Sequence, residues 1–360
     1  MRALSFLEVP IVQAPMASAT TPELVAAVSG AGGLGSLALG YTEPAQIAPL
    51  VARVRALTAR PFALNLFVDA RTPVTADVLQ RAHDRLRPFR AELGIPHAPV
   101  PAVALIDYEA QVEAVLAARP AVFSFTFGVP EPAVFERCRA AGIVTIGTAN
   151  TVDEAVALER AGADAVCAQG FEAGGHHGSF GQPVEFSQIG TLALVPQVVD
   201  AVGLPVVAAG GIGDGRGIAA ALALGAAAAQ VGSAFLRADE SGIPAAFRAV
   251  LESPAARRTS ITTAFSGRTA RGVHNAFMDA LAEVEDVAPY PYQHWLTRDI
   301  RTAAAQQGRP EYLSLWAGQA VGLARPLPAA AIVAELVREA REASELARAA
   351  VLGTRAGNRV

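Results

Sequence analysis

The densest chemistry in this 360-residue chain lies in one segment, Gln169-Gly170-Phe171-Glu172-Ala173-Gly174-Gly175-His176-His177-Gly178. Its glycines let a backbone lie close against a flat ring, because no Cβ stands in the way. Its two histidines titrate near neutral pH, so one of them is a candidate proton acceptor. Adjacent side chains diverge, and only one of the pair is expected to face a site. A surface loop with solvated histidines is the competing reading. No HExxH run or neighbouring cysteine pair supports a metal. His83, His97 and His294 stand in helical or loop segments and are read as ordinary packing or surface residues.

Two further segments carry glycines in a productive order. Ala208-Ala209-Gly210-Gly211-Ile212-Gly213-Asp214 reads as a strand, a glycine turn, then a helix capped by Asp214. Such a turn exposes backbone N–H groups and the positive end of a helix to an anion. One strand later, Gln230-Val231-Gly232-Ser233 repeats the device, and a pair of this kind after the last two strands of a barrel suits a phosphate. Two ligand-free turns are the alternative. Gly30-x-Gly32-x-x-Gly35 fits the dinucleotide pattern, but here a helix precedes the glycines and a strand follows, which inverts the mechanism. Asn65 is a polar residue inside the apolar run Phe62–Leu66. A buried amide costs about 1–3 kcal/mol if unpaired, so Asn65 must meet a ligand or the backbone. Ser124 and Thr126 invite the same argument more weakly. No GxSxG elbow is present, which leaves a serine hydrolase of that type unsupported.

These segments need elements to position them. Short apolar runs alternate with helical segments up to about residue 240, giving strands at Ile11–Gln13, Leu34–Leu37, Phe62–Leu66, Val122–Phe125, Val144–Gly147, Ala165–Gln169, Val206–Ala209 and Ala229–Gly232. Eight strands, with starts recurring about every 22 residues, predict a closed α/β barrel. Gly32, Gly142, Gly162 and Gly225 mark helix ends. Thr72 to Leu93 reads as an extra helix. Residues 243–328 are expected to form a smaller helical domain without clear strands, whose aromatic residues roof the site. Residues 329–360 supply a last amphipathic helix packing on barrel 1–242.

Composition removes several enzyme classes. With 52% hydrophobic and 17% charged residues the chain can bury a large core. The sequence has no lysine, all 29 basic residues being arginine, which excludes Schiff-base aldolases, pyridoxal-phosphate enzymes and lysine-dependent P-loop NTPases. A net charge of −4 gives no reason to expect a nucleic-acid partner. Cys138 and Cys167 lack metal or disulfide spacing and read as buried thiols. The apolar stretch near the N-terminus is broken by Glu8, Pro10, Gln13 and Pro15, and Ile218–Leu236 reads as a buried helix followed by a strand. No membrane association is expected, and a cytoplasmic location is.

Taken in order, Pro10-Ile11-Val12-Gln13-Ala14-Pro15-Met16-Ala17, the Asn65 strand, the Gly-Gly-His segment, Ala209–Ile212, Gln230–Ser233 and Ser266-Gly267-Arg268-x-Ala270-Arg271-Gly272 resemble the nitronate monooxygenases, formerly called 2-nitropropane dioxygenases. The resemblance implies a (β/α)8 TIM barrel holding non-covalent FMN and oxidising alkyl nitronates with O2 to carbonyl compounds and nitrite. It implies that Ala14, Pro15, Met16, Asn65, Gln169, Gly174, Gly210, Gly211, Gln230, Val231, Gly232 and Ser233 hold the flavin. His176 would be the catalytic histidine, a base near pKa 6.5 that takes the α-proton of a neutral nitroalkane or polarises the nitro group, and His177 would then point away. His274 stands before Asn275 where the resemblance leads one to expect arginine, a departure that bears on substrate preference. An FMN-dependent NAD(P)H reductase of quinones or enoyl thioesters on the same barrel is the alternative. A flavin-free phosphate-sugar enzyme and a non-catalytic flavin binder also remain open, as does assembly into a homodimer.

Overall fold

A computed structural model of the protein describes residues 4–68, 72–96, 98–100, 105–282 and 287–353. Eight parallel strands form one sheet, β1 (Ile11–Gln13), β2 (Gly35–Ala38), β3 (Phe62–Phe67), β4 (Val122–Thr126), β5 (Val144–Ala149), β6 (Ala165–Gln169), β8 (Val206–Ala209) and β9 (Ala228–Val231). Their order is β1-β9-β8-β6-β5-β4-β3-β2. A parallel bridge between Val12 and Leu34 joins the two ends and closes the barrel. The expected strands are all present, with ends moved by one or two residues.

Helices cover the outside because each strand's outward residues are apolar. Ile11, Leu64, Phe123, Phe125, Val166 and Ala208 pack there against Leu24, Val51, Val115, Leu158 and Val195 of the crossover helices. The inward residues make a second, smaller core of Val12, Ala63, Val122, Ile146, Cys167 and Val207. Both cysteines are free and buried, as their spacing implied. All four expected helix-end glycines have left-handed φ, from +71° to +98°. The final helix, Ala329–Val351, packs on the helix Gly215–Ala223, where Glu339 accepts the Gly215 N–H at 3.0 Å. Residues 354–360 of the expected last helix lie outside the described residues.

Two expectations need correction. The helix expected over Thr72 to Leu93 is two, Ala76–Arg85 and Arg87–Glu92, because Pro88 has no N–H to continue the first. Residues 243–328 are not free of strands. They contain β10 (Thr259–Thr262) and β11 (Ala270–Val273), paired antiparallel, and β11 also pairs with the two-residue β7 (Gly175–His176). These strands are too short and too polar to show a period of two, and they exist because each supplies the other's hydrogen bonds. The pairing of Ala270 with His176 stitches the histidine segment to this region. Around it lies a separate apolar core containing Phe265, Phe277, Leu281, Ile300 and Tyr312. Among the described residues no helix is long and apolar enough to cross a membrane.

Candidate active site

The barrel's inner face changes character along its strands. Every second residue points inward, so Ala63 is followed by Asn65, Val122 by Ser124 and Thr126, Ile146 by Thr148, Cys167 by Gln169 and Ala228 by Gln230. The later, polar members line a cavity of about 800 Å³ at the C-terminal ends of the strands. Ala14, Pro15, Met16, Asn65, Gln169, Gly174, His176, Gly210, Gly211, Gln230, Gly232 and Ser233 all line it.

Val231 does not. Its side chain is fully buried in the layer between sheet and helices, since strand alternation turns it opposite to Gln230. Only its carbonyl is used, accepting the Ala14 N–H at 2.9 Å. Met16 is held by the same corner of the fold: its N–H donates to Thr20 Oγ1 at 3.0 Å, and Gln13 Nε2 donates to that hydroxyl at 3.1 Å.

One end of the cavity is a cradle for an anion. Gly210 and Gly211 have φ of +104° and +68°, conformations that side chains disfavour. The N–H groups of Gly211, Gly232 and Ser233 make no hydrogen bond among the described residues. A Cβ on Gly232 would only touch Ala14 Cβ at 3.4 Å, an ordinary contact. A Cβ on Gly211 would instead meet Glu172 at 3.3 Å, so this glycine serves the turn's conformation and its contact with Glu172 rather than clearing space in the cavity. Glu172 anchors the turn from behind, accepting the Thr191 N–H at 2.9 Å, and Thr191 Oγ1 lies 2.9 Å from the Gly210 carbonyl. Asp214 caps the following helix as expected.

Midway along the cavity two amides are oriented by their neighbours. Gln169 Oε1 accepts from Gly178 N at 2.8 Å and from Asn150 Nδ2 at 2.9 Å, so its Nε2 is left for His176 O at 3.2 Å and for the cavity. Gln169 is therefore a donor toward a ligand. Asn65 Nδ2 donates to Ser124 Oγ at 3.0 Å, which leaves its carbonyl oxygen as an acceptor. A donor on β6 and an acceptor on β3, both lining the cavity, suit the N–H and carbonyl groups of a flavin ring. The cradle, the two amides and the polar strand ends fit a flavin carrying a phosphate.

His176 stands beyond the amides. Its ring is walled by Trp316, Phe127, Tyr290 and Phe67, with centroids 5.5–6.1 Å away. Nε2 is 2.8 Å from Ser266 Oγ. The Ser266 proton is committed to the Arg268 carbonyl at 3.1 Å, so Ser266 accepts from Nε2–H and the lone pair of Nδ1 is free. The geometry is that of a base, but burial, then the charges of Arg268 and Arg301, push His176 down to about 3. The sequence led to a base near 6.5; the burial that lowers this pKa favours the neutral ring and weakens it as a proton acceptor.

His177 faces away from the cavity, as expected, yet it is buried rather than solvated. Its Nδ1 accepts from Asn150 Nδ2 at 3.1 Å and its Nε2 donates to the Ser187 carbonyl at 3.1 Å. Burial pushes it down to about 4. Through Asn150 it braces Gln169. His177→Asn should accordingly cost about 2 kcal/mol of stability by leaving buried groups unpaired, and lower the urea midpoint. An unchanged midpoint would show that the brace is dispensable.

The remaining histidines divide. His83 is buried against the Ala98 carbonyl at 2.8 Å, an ordinary packing residue. His97 lies outside the described residues. His294, also read as ordinary, lines the cavity and stacks on Tyr41 with ring centroids 3.8 Å apart. His274 bonds Ser260 at 2.8 Å and Asp279 at 2.8 Å and is not part of the cavity lining, so its departure from the family pattern does not touch the ligand site. Sequence reading missed Tyr41 and Arg301, neither of which sits in a recognisable motif; Trp316 belongs to the aromatic concentration between 290 and 316 that was expected to roof the site.

The comparisons with known proteins match this geometry. The sequence model of the nitronate monooxygenase family covers residues 1–339. The chain belongs to that family. A probable nitronate monooxygenase of Staphylococcus aureus is 41% identical over 338 residues, 92% of this chain and 94% of that protein. Among solved structures, a nitroalkane oxidase from Streptomyces ansochromogenes superposes with a TM-score of 0.90 at 42% identity, covering 96% of this chain and all of that one. FabK from Thermotoga maritima superposes less closely, with a TM-score of 0.75 at 29% identity over 97% and 98% of the two chains. As a nitronate monooxygenase family member the chain is a flavin-dependent oxidoreductase on a TIM barrel.

Proposed function

We propose that the chain is an FMN-dependent nitronate monooxygenase that oxidises alkyl nitronates with O2 to carbonyl compounds and nitrite. The observation that carries this reading is a single cavity with unpaired backbone N–H groups at one end, an amide donor and acceptor midway, and an aromatic-walled histidine beyond. Gly210, Gly211, Gly232 and Ser233 would hold the phosphate. Asn65, Gln169 and the Ala14–Met16 segment would hold the ring. Residues 1–242 with 329–360 then make the flavin-binding body, and 243–328 its roof.

When bound, the flavin supplies the redox chemistry between nitronate and O2. This chain's residues bind, orient and keep water out. Trp316, Tyr290, Phe127 and Phe67 confine a small substrate beside His176. Ser266 fixes the imidazole so that Nδ1 faces that substrate. As a neutral ring, His176 packs against and orients the nitronate and adds no positive charge.

The purified protein should be yellow and release FMN, not FAD, on denaturation. A nitronate added without O2 should bleach the flavin, and with O2 nitrite should accumulate. NADH without a nitronate should leave the spectrum unchanged; rapid bleaching by NADH instead would favour the NAD(P)H-dependent reductase. A colourless preparation that FMN does not reconstitute would sink the flavin assignment.

A further inference from the structure

Past His176 the cavity opens between the loop after β2 and the helix Arg298–Gln307. Its permanently charged lining residues are Glu43, Arg298 and Arg301. Glu43 and Arg298 are exposed, and the Arg298 guanidinium lies 5.4 Å over the Trp295 ring. Water screens both. Arg301 is partly buried where its helix lines the cavity, and no carboxylate pairs with it among the described residues. Its partners are all neutral: Nη2 donates to the His294 carbonyl at 2.7 Å and approaches His294 Nδ1 at 3.4 Å, and Nε donates to Thr297 Oγ1 at 3.3 Å. Nη1 has no partner. The nearest acid on the same helix, Asp299, is taken by Arg90 at 2.7 Å.

A partly buried guanidinium without a counter-charge is a strong partner for an anion that enters the cavity. Burial lowers Arg301 to about 10, so it still carries its charge at neutral pH. A second polar group waits beside it. The Tyr41 ring stacks on His294 at 3.8 Å, and its hydroxyl is buried, approaching Tyr290 without reaching hydrogen-bonding geometry. Burial raises Tyr41 to about 12, which keeps the hydroxyl protonated as a donor. The glycine cradle belongs to the ends of β8 and β9, whereas Tyr41 follows β2, and β1 stands between β9 and β2 in the barrel. The two positive regions are separate.

We propose that Arg301 and the Tyr41 hydroxyl form an anion subsite for a planar, two-oxygen monoanionic group on the substrate, distinct from the phosphate cradle. The planar guanidinium edge suits two oxygens in one plane. Such a group is either the nitronate itself or a carboxylate on the same small molecule. The inference rests on the reading that the cavity receives a small oxidisable substrate.

Calorimetric titration of the flavin-loaded protein with sodium propionate, sodium nitrate and neutral propionamide tests it. Arg301→Gln should weaken propionate and nitrate by about 10- to 100-fold, the worth of a charge-assisted contact, and leave propionamide unchanged. Arg301→Lys should recover most of the loss, and Arg298→Gln, at an exposed position, should change either anion by less than about threefold. Tyr41→Phe keeps the ring stack and should weaken both anions by about 3- to 10-fold. Wild-type anion affinity in Arg301→Gln, an equal loss for propionamide, or a larger effect at Arg298 would overturn the proposal. If Arg301→Gln fails to fold, unchanged affinity in Tyr41→Phe overturns it instead. The KM of ethyl nitronate identifies the occupant: a rise in Arg301→Gln matching the loss of propionate assigns the subsite to the nitronate, and an unchanged KM assigns it to a carboxylate. Loss of anion binding in a protein that oxidises no nitronate would uphold the subsite and reject the proposed activity.

Discussion

At pH 7 a neutral nitroalkane should be turned over on the order of 10²–10⁴ more slowly than its pre-formed nitronate, the factor that a well-matched general base would otherwise contribute. The reason is the environment of His176. Its Nδ1 lone pair makes no hydrogen bond among the described residues, but Ser266 is a neutral partner that stabilises an imidazolium far less than a carboxylate would, and the charges of Arg268 and Arg301 oppose one. With its pKa pushed down to about 3, His176 is already unprotonated at every pH at which the enzyme would work. Activity on pre-formed nitronate should therefore be flat from about pH 8 down to about pH 5, with no loss as pH falls through the usual histidine value of about 6.5. His176→Asn should reduce both substrates by a similar factor of about 10, because orientation is lost in each case and little proton abstraction was present to lose. A bell-shaped or sigmoidal profile centred near 6.5, together with a selective collapse on the neutral nitroalkane in His176→Asn, would restore the histidine as a true base.

Gly174→Ala should expel the flavin and cost about 3 kcal/mol of stability, the upper range of an overpacking substitution. An added Cβ would lie 2.4 Å from Gly318 N and 2.5 Å from the Ala317 carbonyl carbon, and neither backbone atom can turn aside as a side chain would. The same strap is tied to the site at two points. Gly318 N donates to Ser233 Oγ at 2.8 Å, and Gln319 N donates to Glu172 O at 3.0 Å. Pushing it outward would drag Ser233 from the phosphate cradle and loosen the loop that ends in His176. Gly308→Ala is the comparison. Gly308, unlike Gly174, has positive φ, +68°, and a Cβ there meets nothing within 4 Å, so only the backbone cost of about 1–2 kcal/mol applies and FMN should be retained. Chemical unfolding and flavin absorbance measure both. Equal stability losses, or full flavin content in Gly174→Ala, would contradict the account of the strap.

What the sequence determined by itself is whatever depends on neighbours along the chain. Alternation over Phe62–Phe67 placed Asn65 inward, and the steric freedom of glycine marked the turn at Gly210 and Gly211, because both effects act within a few residues. The same alternation put Val231 on the outer face, where it packs with helices. Only the tertiary structure decided the roles that depend on distant partners. The strands β10 and β11 exist through each other's hydrogen bonds, and His177 owes its burial to Asn150 and Ser187. The base strength of His176 is likewise set by an aromatic wall from Phe67, Phe127, Tyr290 and Trp316 and by arginines about 90 and 125 positions further along the chain. Arg301 reads as one arginine among many until Asp299 is seen paired with Arg90 and the cavity is seen to reach its guanidinium. Periodicity and backbone sterics are local and survive in a string of letters; desolvation and charge pairing are properties of a volume, and the chain must close around that volume before they have values.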